Sequence, residues 1–169
     1  MKSKKNLILV GMMGSGKSTI GALIGKKLNL KFFDTDQLIE DKMDMDVSDI
    51  FEKKGEKFFR KLEETITTNL LNASGNIISL GGGAFINERI RKEVNLKSIS
   101  FWLNCDIAKL IFRIRKNTRR PLALELNNHE LKKLIIKRSK IYGKAKYKID
   151  CKRLNKNKIV NKIIELYDI

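Results

Sequence analysis

The chain has 169 residues, a mass of 19.5 kDa and a net charge of +17. Its length suits one domain with its own core, and 42% hydrophobic with 33% charged residues is typical of a globular protein. No apolar run is long enough to span a bilayer, and the short run Leu7–Val10 is not followed by a signal-peptide cleavage site. Two cysteines, Cys105 and Cys151, are too few and too far apart in sequence for a disulfide framework, and a single histidine excludes most zinc sites. We therefore expect a cytoplasmic protein without a membrane anchor.

The positive charge is concentrated in the second half of the chain. Residues 1–90 contain 14 basic and 12 acidic side chains, a net charge of +2, whereas residues 91–169 contain 22 and 7, a net charge of +15. A basic half attracts polyanions, which makes nucleic acid a candidate partner. However, most of the 36 basic residues are lysines, and no aromatic residues alternate with the basic runs to form a base-stacking surface. We expect a monomer that binds a small anionic substrate and no nucleic acid.

Hydrophobic periodicity predicts alternating strands and helices along the chain. Strands are predicted at 5–10, 31–33, 76–80, 97–103 and 147–150. Helices are predicted at 17–28, 37–42, 48–71 with a break at Gly55, 106–116, 129–144 and 157–167. In the segment 48–71, Ser48 is the predicted N-cap, and the predicted inward side chains are Phe58, Phe59, Leu62 and Ile66. The alternation predicts an α/β fold of three layers, in which helices cover both faces of a central, mostly parallel five-stranded sheet. Residues 117–128 contain the only proline and are predicted to form a mobile lid on this single domain, 1–169.

A phosphate-binding motif follows the first predicted strand. The pattern G-x-x-x-x-G-K-[ST] is matched by Gly11, Met12, Met13, Gly14, Ser15, Gly16, Lys17 and Ser18. Glycines let backbone N–H groups turn toward phosphate oxygens, and the N-terminus of the following helix adds a positive dipole end. Lys17 can reach the β- and γ-phosphates, and the Ser18 hydroxyl can bind Mg²⁺. The motif predicts a nucleotide site that extends to Thr19.

The rest of the sequence narrows the class of nucleotide-binding protein. The guanine-binding pattern Asn-Lys-x-Asp does not occur, which argues against a GTPase. The chain is also too short for the usual core of a motor ATPase. A kinase that phosphorylates a small molecule remains.

Two carboxylates follow the second predicted strand, at Asp34 and Asp36. Ligands of parallel sheets bind beyond the carboxyl ends of the strands. One carboxylate can serve the metal and the other can orient the hydroxyl that attacks the phosphoryl group. The alternative interpretation is an aspartate that caps the following helix.

Glycines and arginines supply two further candidate groups. Three glycines after a strand, Gly81, Gly82 and Gly83, can present bare backbone to a ligand or can form a simple turn. Only nine of the basic residues are arginines, and a guanidinium fork binds carboxylates or transferring phosphoryl groups. We single out Arg60, Arg120 and Arg138, although for each alone a solvated surface position is the simpler interpretation.

Taken together, these motifs resemble shikimate kinases over nearly the whole chain. The resemblance includes the phosphate loop, the D-x-D pair, and the segment Gly55–Glu63, which is similar to G-E-x-x-F-R-x-x-E. It continues with the glycine triplet, with Arg120-Pro121-Leu122 as the R-P-L motif of the lid, and with Arg138 and Tyr142 as R-x-x-x-Y.

The resemblance implies an enzyme that transfers the γ-phosphoryl group of ATP to the 3-hydroxyl of shikimate. It implies that Asp36, Arg60, Arg138 and the glycine triplet bind shikimate, with 36–62 as the substrate-binding helical segment. Asp36 would orient the hydroxyl, with its deprotonation by the same carboxylate left open. Ser18 and Asp34 would hold Mg²⁺, and Lys17 and Arg120 would neutralise charge on the transferred group. Arg113 would pack on adenine.

Two alternatives to a shikimate kinase remain at this point. Other small P-loop kinases, acting on gluconate or on nucleoside monophosphates, share the phosphate loop. A basic nucleic-acid-binding protein with a vestigial nucleotide site is the alternative from a different class.

Overall fold

Five parallel strands form the centre of the computed structural model, which describes residues 5–116, 123 and 125–168. The strands are β1 (Asn6–Val10), β2 (Phe32–Asp34), β3 (Ile77–Ser79), β4 (Ser98–Asn104) and β5 (Tyr147–Asp150). Their order across the sheet is β2-β3-β1-β4-β5, and every neighbouring pair is parallel. The carboxyl ends of all five strands therefore lie at one edge, where ligands of parallel sheets bind.

Helices connect the strands. They are α1 (Lys17–Leu28), α2 (Thr35–Met43), α3 (Val47–Lys54), α4 (Glu56–Leu71), α5 (Glu88–Lys97), α6 (Ile107–Lys116), α7 (Asn128–Tyr142) and α8 (Lys156–Tyr167). A 3₁₀ turn at Ala84–Ile86 precedes α5. Among the described residues, no helix is long and apolar enough to cross a membrane.

The core has two main parts, one on each face of the sheet. Because side chains alternate along a strand, Leu7 and Leu9 of β1 face one layer, which contains α1 and α8. Ile8 and Val10 face the other layer, which contains residues of α4 to α7. This confirms the predicted three-layer α/β/α architecture with a five-stranded sheet, and all its strand pairs are parallel.

Most of the predicted lid, 117–128, lies outside the described residues.

Two local predictions in the segment 48–71 are wrong. The predicted N-cap, Ser48, lies inside the first turn of α3, because the helix begins at Val47 and Asp46, two residues before Ser48, occupies the N-cap position. The predicted inward side chain Phe58 is 41% exposed, whereas Phe59 is 2% exposed. The buried residues of α4 recur every four positions, at Phe59, Glu63, Thr67 and Leu71, so the buried face excludes Phe58.

Helix α5 is absent from the sequence-based prediction. It begins after Asn87, whose side-chain oxygen accepts hydrogen bonds from the backbone N–H groups of Arg89 and Ile90. Only Ile90 and Val94 of its ten residues are buried, so its apolar stripe is narrow. The N-cap asparagine and the i, i+4 pair of apolar residues are the signals from which this helix could have been predicted.

Candidate active site

Two cavities lie side by side beyond the carboxyl ends of the strands. The larger, which we call the loop cavity, has a volume of about 550 Å³ and is lined by residues 13–20 together with side chains that follow β2, β4 and β5. The smaller, which we call the arginine cavity, has a volume of about 50 Å³ and is lined by charged side chains of α4 and α7 and by Gly82 and Gly83. Met13 and Asp36 line both cavities, so these two residues mark where the cavities meet.

The phosphate loop connects β1 to α1 and has an unusual backbone. Gly11, Gly14 and Gly16 have φ angles of 146°, 78° and 90°, values that residues other than glycine rarely adopt. Lys17 is 8% exposed, and its Nζ donates hydrogen bonds to the carbonyl oxygens of Gly11 and Met12 at 3.0 and 3.1 Å. These two bonds hold the ammonium group against the start of the phosphate loop. The first turn of α1 lies next to it, and the N–H groups of that turn have no partner within the helix.

The buried hydroxyl of Ser15 also fits a phosphate ligand. Within the described part of the chain, its Oγ has no hydrogen-bond partner, although the residue is only 6% exposed. An unpaired buried hydroxyl costs free energy, and a bound oxyanion can remove that cost by accepting its hydrogen bond.

Asp34 serves two partners at once. Its Oδ1 accepts hydrogen bonds from the backbone N–H groups of Asp36 and Gln37, at 3.1 and 3.5 Å, and so caps α2. Its Oδ2 accepts a hydrogen bond from Ser18 Oγ at 2.5 Å. The capping interpretation is thus correct for one oxygen, while the other lies against the serine that the sequence assigned to a metal.

This pair of oxygens suits a hard cation such as Mg²⁺, which prefers oxygen ligands and keeps several waters or substrate oxygens around it. In the described residues, no group of three or more acidic, histidine or cysteine side chains converges as a metal site. Ser18 and Asp34 would accordingly share a metal with oxygens from outside the chain.

Arg60 is fixed by contacts on several sides. Its Nη1 donates to Glu63 Oε2 at 2.8 Å, and its Nε lies 3.3 Å from Glu56 Oε1. The guanidinium carbon lies 5.8 Å from the ring centroid of Phe51 and 5.4 Å from that of Phe59. Burial disfavours the charged form of Arg60, but the two carboxylates outweigh it and raise the pKa of the guanidinium. Arg60 therefore presents a permanent, oriented positive charge to the arginine cavity.

Glu63 is a buried carboxylate whose role the sequence analysis left open. It is 1% exposed, and within the described residues its Oε1 has no hydrogen-bond partner. Burial raises the pKa of Glu63, while the charge of Arg60 acts in the opposite direction. The signal for this residue was the last position of the G-E-x-x-F-R-x-x-E pattern, three residues after Arg60.

The glycine triplet is needed for close approach, not for an unusual φ angle. A Cβ atom on Gly81 would lie 2.5 Å from Asp36 Oδ1, and one on Gly83 would overlap the Arg60 guanidinium. The backbone N–H of Gly81 donates to the buried Thr35 hydroxyl at 2.8 Å. The triplet leads into a 3₁₀ turn, so the turn interpretation holds as well, but the missing side chains are what bring Asp36 and Arg60 against the backbone.

Arg138 and Tyr142 lie one turn apart on α7. The tyrosine hydroxyl donates a hydrogen bond to the carbonyl oxygen of Gly82, which fixes the middle of the triplet. Burial raises the pKa of Tyr142 to about 12, although the charge of Arg138 acts against this. Arg138 lines the arginine cavity, with its Nη1 3.8 Å from the position that a Cβ atom on Gly82 would take.

Arg113 is placed on the other side of the phosphate loop. Its Nη1 donates to the Gly14 carbonyl oxygen at 3.0 Å, and the residue lines the loop cavity. Thr19, next to Ser18, also lines this cavity. Arg120 and the R-P-L motif lie outside the described residues. Among the other predicted site residues, Gly11, Met12 and Gly81 line neither of the two cavities, and the rest line at least one of them.

Comparison with known proteins agrees with this arrangement. The family model of shikimate kinase matches residues 13–168. The chain is 40% identical over 162 residues to the shikimate kinase of Bartonella quintana, covering 95% of the chain and 77% of that protein. The chain belongs to the shikimate kinase family. The shikimate kinase of a Sulfurihydrogenibium species is 37% identical over 160 residues, covering 95% and 96% of the two chains.

Solved structures of shikimate kinases share the fold. The enzyme from Acinetobacter baumannii, in complex with shikimate, superposes with a TM-score of 0.91 at 29% identity, covering 98% of this chain and 93% of the other. A gluconokinase from Sinorhizobium meliloti superposes with a TM-score of 0.62 at 13% identity, which reflects a common fold alone. Membership of the shikimate kinase family confirms the expectation of an ATP-dependent kinase and decides against the other small P-loop kinases.

Proposed function

We propose that this chain transfers the γ-phosphoryl group of ATP to the 3-hydroxyl of shikimate, giving shikimate 3-phosphate and ADP. The observation that carries the proposal is the junction of the two cavities at Asp36. A phosphoryl donor in the loop cavity and an acceptor in the arginine cavity meet there, and transfer between bound groups needs the two to be held next to each other. The complex of the Acinetobacter baumannii enzyme with shikimate supports the choice of acceptor.

ATP occupies the loop cavity in this proposal. Residues Gly11 to Thr19 surround its phosphates with backbone N–H groups, and the Ser15 hydroxyl donates to a phosphate oxygen. Lys17 lies beside the transferred group and stabilises the negative charge that develops on it. Arg113, anchored on the Gly14 carbonyl, packs against adenine. Arg120 adds a second positive charge, carried on the lid 117–128.

Mg²⁺ is the metal that Ser18 and Asp34 hold in this proposal, since a hydroxyl and a carboxylate oxygen already lie within 2.5 Å of each other. When bound, it neutralises charge on the phosphate oxygens. Asp34 keeps its capping oxygen on α2 and offers only the other, so the position of that carboxylate is fixed by the helix.

Shikimate lies in the arginine cavity with its carboxylate between Arg60 and Arg138. A guanidinium fork binds a planar carboxylate through two parallel hydrogen bonds, which fixes orientation as well as charge. The backbone of Gly81, Gly82 and Gly83 contacts the ring. Asp36 accepts a hydrogen bond from the attacking hydroxyl, orients it toward the loop cavity and takes its proton as the new P–O bond forms.

We further propose that the chain is a cytoplasmic monomer of one domain that does not bind nucleic acid. The lysine-rich second half then acts by attracting anionic substrates, an effect that weakens as ionic strength rises.

An acceptor panel tests the proposal. ADP release is measured with ATP and Mg²⁺ in the presence of shikimate, gluconate or a mixture of nucleoside monophosphates, and the phosphorylated product is identified by mass spectrometry. We expect a product only with shikimate. Phosphorylation of gluconate or of a nucleotide instead would overturn the choice of acceptor, and ADP release that is independent of all acceptors would overturn the role of the arginine cavity.

A further inference from the structure

The only two cysteines of the sequence meet in the fold. The parallel pairing of β4 with β5 places Asn104 beside Asp150. Cys105 and Cys151 are the residues that follow these two, directly after the two strands. The backbone N–H of Cys151 donates to the Asn104 carbonyl oxygen at 2.9 Å, which continues the pairing to this point. Neighbouring strands lie about 4.8 Å apart, within the range of Cα separations of about 4.4–6.8 Å that disulfides span.

The two side chains point into the same space. Both thiols line the loop cavity, and each influences the pKa of the other. The Cys151 thiol donates a hydrogen bond to the Ile149 carbonyl oxygen at 3.4 Å. Cys105 Sγ also lies 3.5 Å from the Ser15 carbonyl oxygen of the phosphate loop. The pair therefore forms part of the wall of the cavity, in contact with the loop.

The surroundings make the two thiols unequal. Interaction with Cys151 lowers the pKa of Cys105 despite its partial burial, and the positive charges of Arg113, Lys17 and Lys109 act in the same direction. Interaction with Cys105 and partial burial raise the pKa of Cys151. Since the thiolate is the nucleophile, Cys105 is the attacking residue and Cys151 the resolving one.

We propose that Cys105 and Cys151 form a dithiol modification site in the wall of the loop cavity, which small two-electron thiol oxidants close to a disulfide, and that this closure and nucleotide binding oppose each other. The second part rests on the proposed placement of ATP in the loop cavity. Both cysteines are partly exposed. An accessible thiol of lowered pKa next to a second cysteine is the arrangement of redox-sensitive cysteines, which in reducing compartments form disulfides transiently.

The chemistry balances with a small disulfide, RSSR, as oxidant. The Cys105 thiolate attacks one sulfur of RSSR, which forms a mixed disulfide and releases RS⁻. That RS⁻ takes the proton of Cys151 and leaves as RSH. The Cys151 sulfur then attacks Cys105 Sγ, which closes the Cys105–Cys151 bond and releases a second RS⁻. The two cysteines lose two electrons and RSSR gains them.

Closure changes the wall of the cavity. A disulfide brings the two sulfurs to about 2.05 Å, much closer than two thiols that are not bonded to each other. Cys105 Sγ then turns toward Cys151, and its contact with the Ser15 carbonyl is lost. A bound nucleotide covers the same wall and keeps RSSR out. Coupling between two equilibria is reciprocal. The factor by which the disulfide lowers nucleotide affinity is therefore also the factor by which the bound nucleotide lowers the equilibrium constant of disulfide formation.

The test oxidises the reduced full-length chain with oxidised glutathione, with and without ADP and Mg²⁺, and follows the Cys105–Cys151 peptide by mass spectrometry. We expect the cross-linked peptide to form, and to form about tenfold more slowly at a nucleotide concentration about ten times its Kd. The variant Cys151→Ser traps glutathione on Cys105, whereas Cys105→Ser leaves Cys151 unmodified. A thermal melt of each variant checks that it is folded.

Calorimetric titration with ADP separates the possible failures. A chain that binds ADP but yields no Cys105–Cys151 peptide, or in which Cys151 reacts first, overturns the dithiol site. A chain that binds ADP and closes at the same rate with and without it overturns the opposition. A chain that forms the disulfide but does not bind ADP overturns the proposed nucleotide placement, while the dithiol site stands.

Discussion

Glu63 Oε2 accepts a hydrogen bond from Arg60 Nη1 at 2.8 Å, one turn away on α4, and the carboxylate that does so is 1% exposed. A second carboxylate, Glu56, reaches the same arginine from the opposite direction but is 58% exposed. Two carboxylates on one guanidinium, one buried and one solvated, allow a matched comparison. The buried one fixes the direction of Arg60, because it is held among the side chains of the core.

The first prediction concerns this pair. Glu63→Ala removes a buried partner of Arg60 and leaves a gap beside Gly81, so we expect a loss of about 2–4 kcal/mol in the free energy of unfolding. The control, Glu56→Ala, removes an exposed partner of the same arginine and should cost less than about 1 kcal/mol. Urea denaturation of both variants measures the difference. Equal losses in the free energy of unfolding would contradict the prediction that the buried Glu63 stabilises the fold more than the exposed Glu56.

The second prediction concerns the space beside the triplet. In Gly83→Ala the new Cβ atom overlaps the Arg60 guanidinium, which must turn away. We expect KM for shikimate to rise roughly tenfold or more, about 1.4 kcal/mol, with KM for ATP unchanged. Gly143→Ala is the control, because its Cβ atom would meet nothing closer than 3.4 Å. An unchanged KM for shikimate in Gly83→Ala would contradict the placement of the acceptor beside Arg60.

The third prediction concerns Arg138. In Arg138→Lys an ammonium replaces the guanidinium fork, and a point charge cannot make two parallel hydrogen bonds to a carboxylate. We expect KM for shikimate to rise by about 10–100-fold, in line with the loss of one charged hydrogen bond. Steady-state kinetics measures this, with Arg89→Lys as control, since Arg89 is 77% exposed and lies outside both cavities. Equal KM values in both variants would show that Arg138 does not bind the acceptor.

The fourth prediction is a pH dependence of stability that comes from Tyr142. Its pKa is raised in the folded chain to about 12, so the folded state prefers the neutral hydroxyl. The stabilisation is therefore complete below the ordinary tyrosine pKa of about 10 and is lost as pH rises from about 10 to about 12.

The variant Tyr142→Phe isolates this effect, because other groups that titrate in the same range remain in both proteins. At neutral pH the variant should be less stable by about 1 kcal/mol, since the hydrogen bond to the Gly82 carbonyl is missing. As pH rises from about 10 to about 12 the advantage of the wild type should disappear and then reverse, because only the wild type loses the Tyr142 contribution and a shift of about two pKa units corresponds to about 2.7 kcal/mol. A constant difference over that range would contradict the raised pKa.

Much of the site could be predicted because its signals are short and contiguous. The phosphate loop from Gly11 to Ser18 is one stretch of chain, and its chemistry follows from the glycines, the lysine and the helix that begins there. Asp34 had two competing interpretations, and the capping interpretation is confirmed for one carboxylate oxygen, while the other accepts a hydrogen bond from Ser18. Metal binding by that second oxygen stays a prediction.

The remainder depends on contacts that are distant in sequence. Cys105 and Cys151 are 46 positions apart by their numbering, and only the pairing of β4 with β5 brings them together. Which of Phe58 and Phe59 is buried depends on how α4 is rotated about its axis against the core. A shift of the apolar stripe by one residue would exchange the two, and the sequence does not give this rotation. The burial of Glu63 is likewise set by the approach of Gly81, not by its neighbours in sequence.

The central claim is phosphoryl transfer at the junction of the two cavities. It is tested by replacing Lys17 and by supplying or withholding shikimate in the same assay. The measurement is coupled ADP release with ATP and Mg²⁺, with and without shikimate, in the wild type and in Lys17→Ala. Lys26→Ala, an exposed lysine on the same helix, is the control. We predict release that depends on shikimate, a kcat lower by about 100-fold or more in folded Lys17→Ala, and no change in Lys26→Ala. Release without shikimate, or an undiminished kcat in Lys17→Ala, would contradict the account.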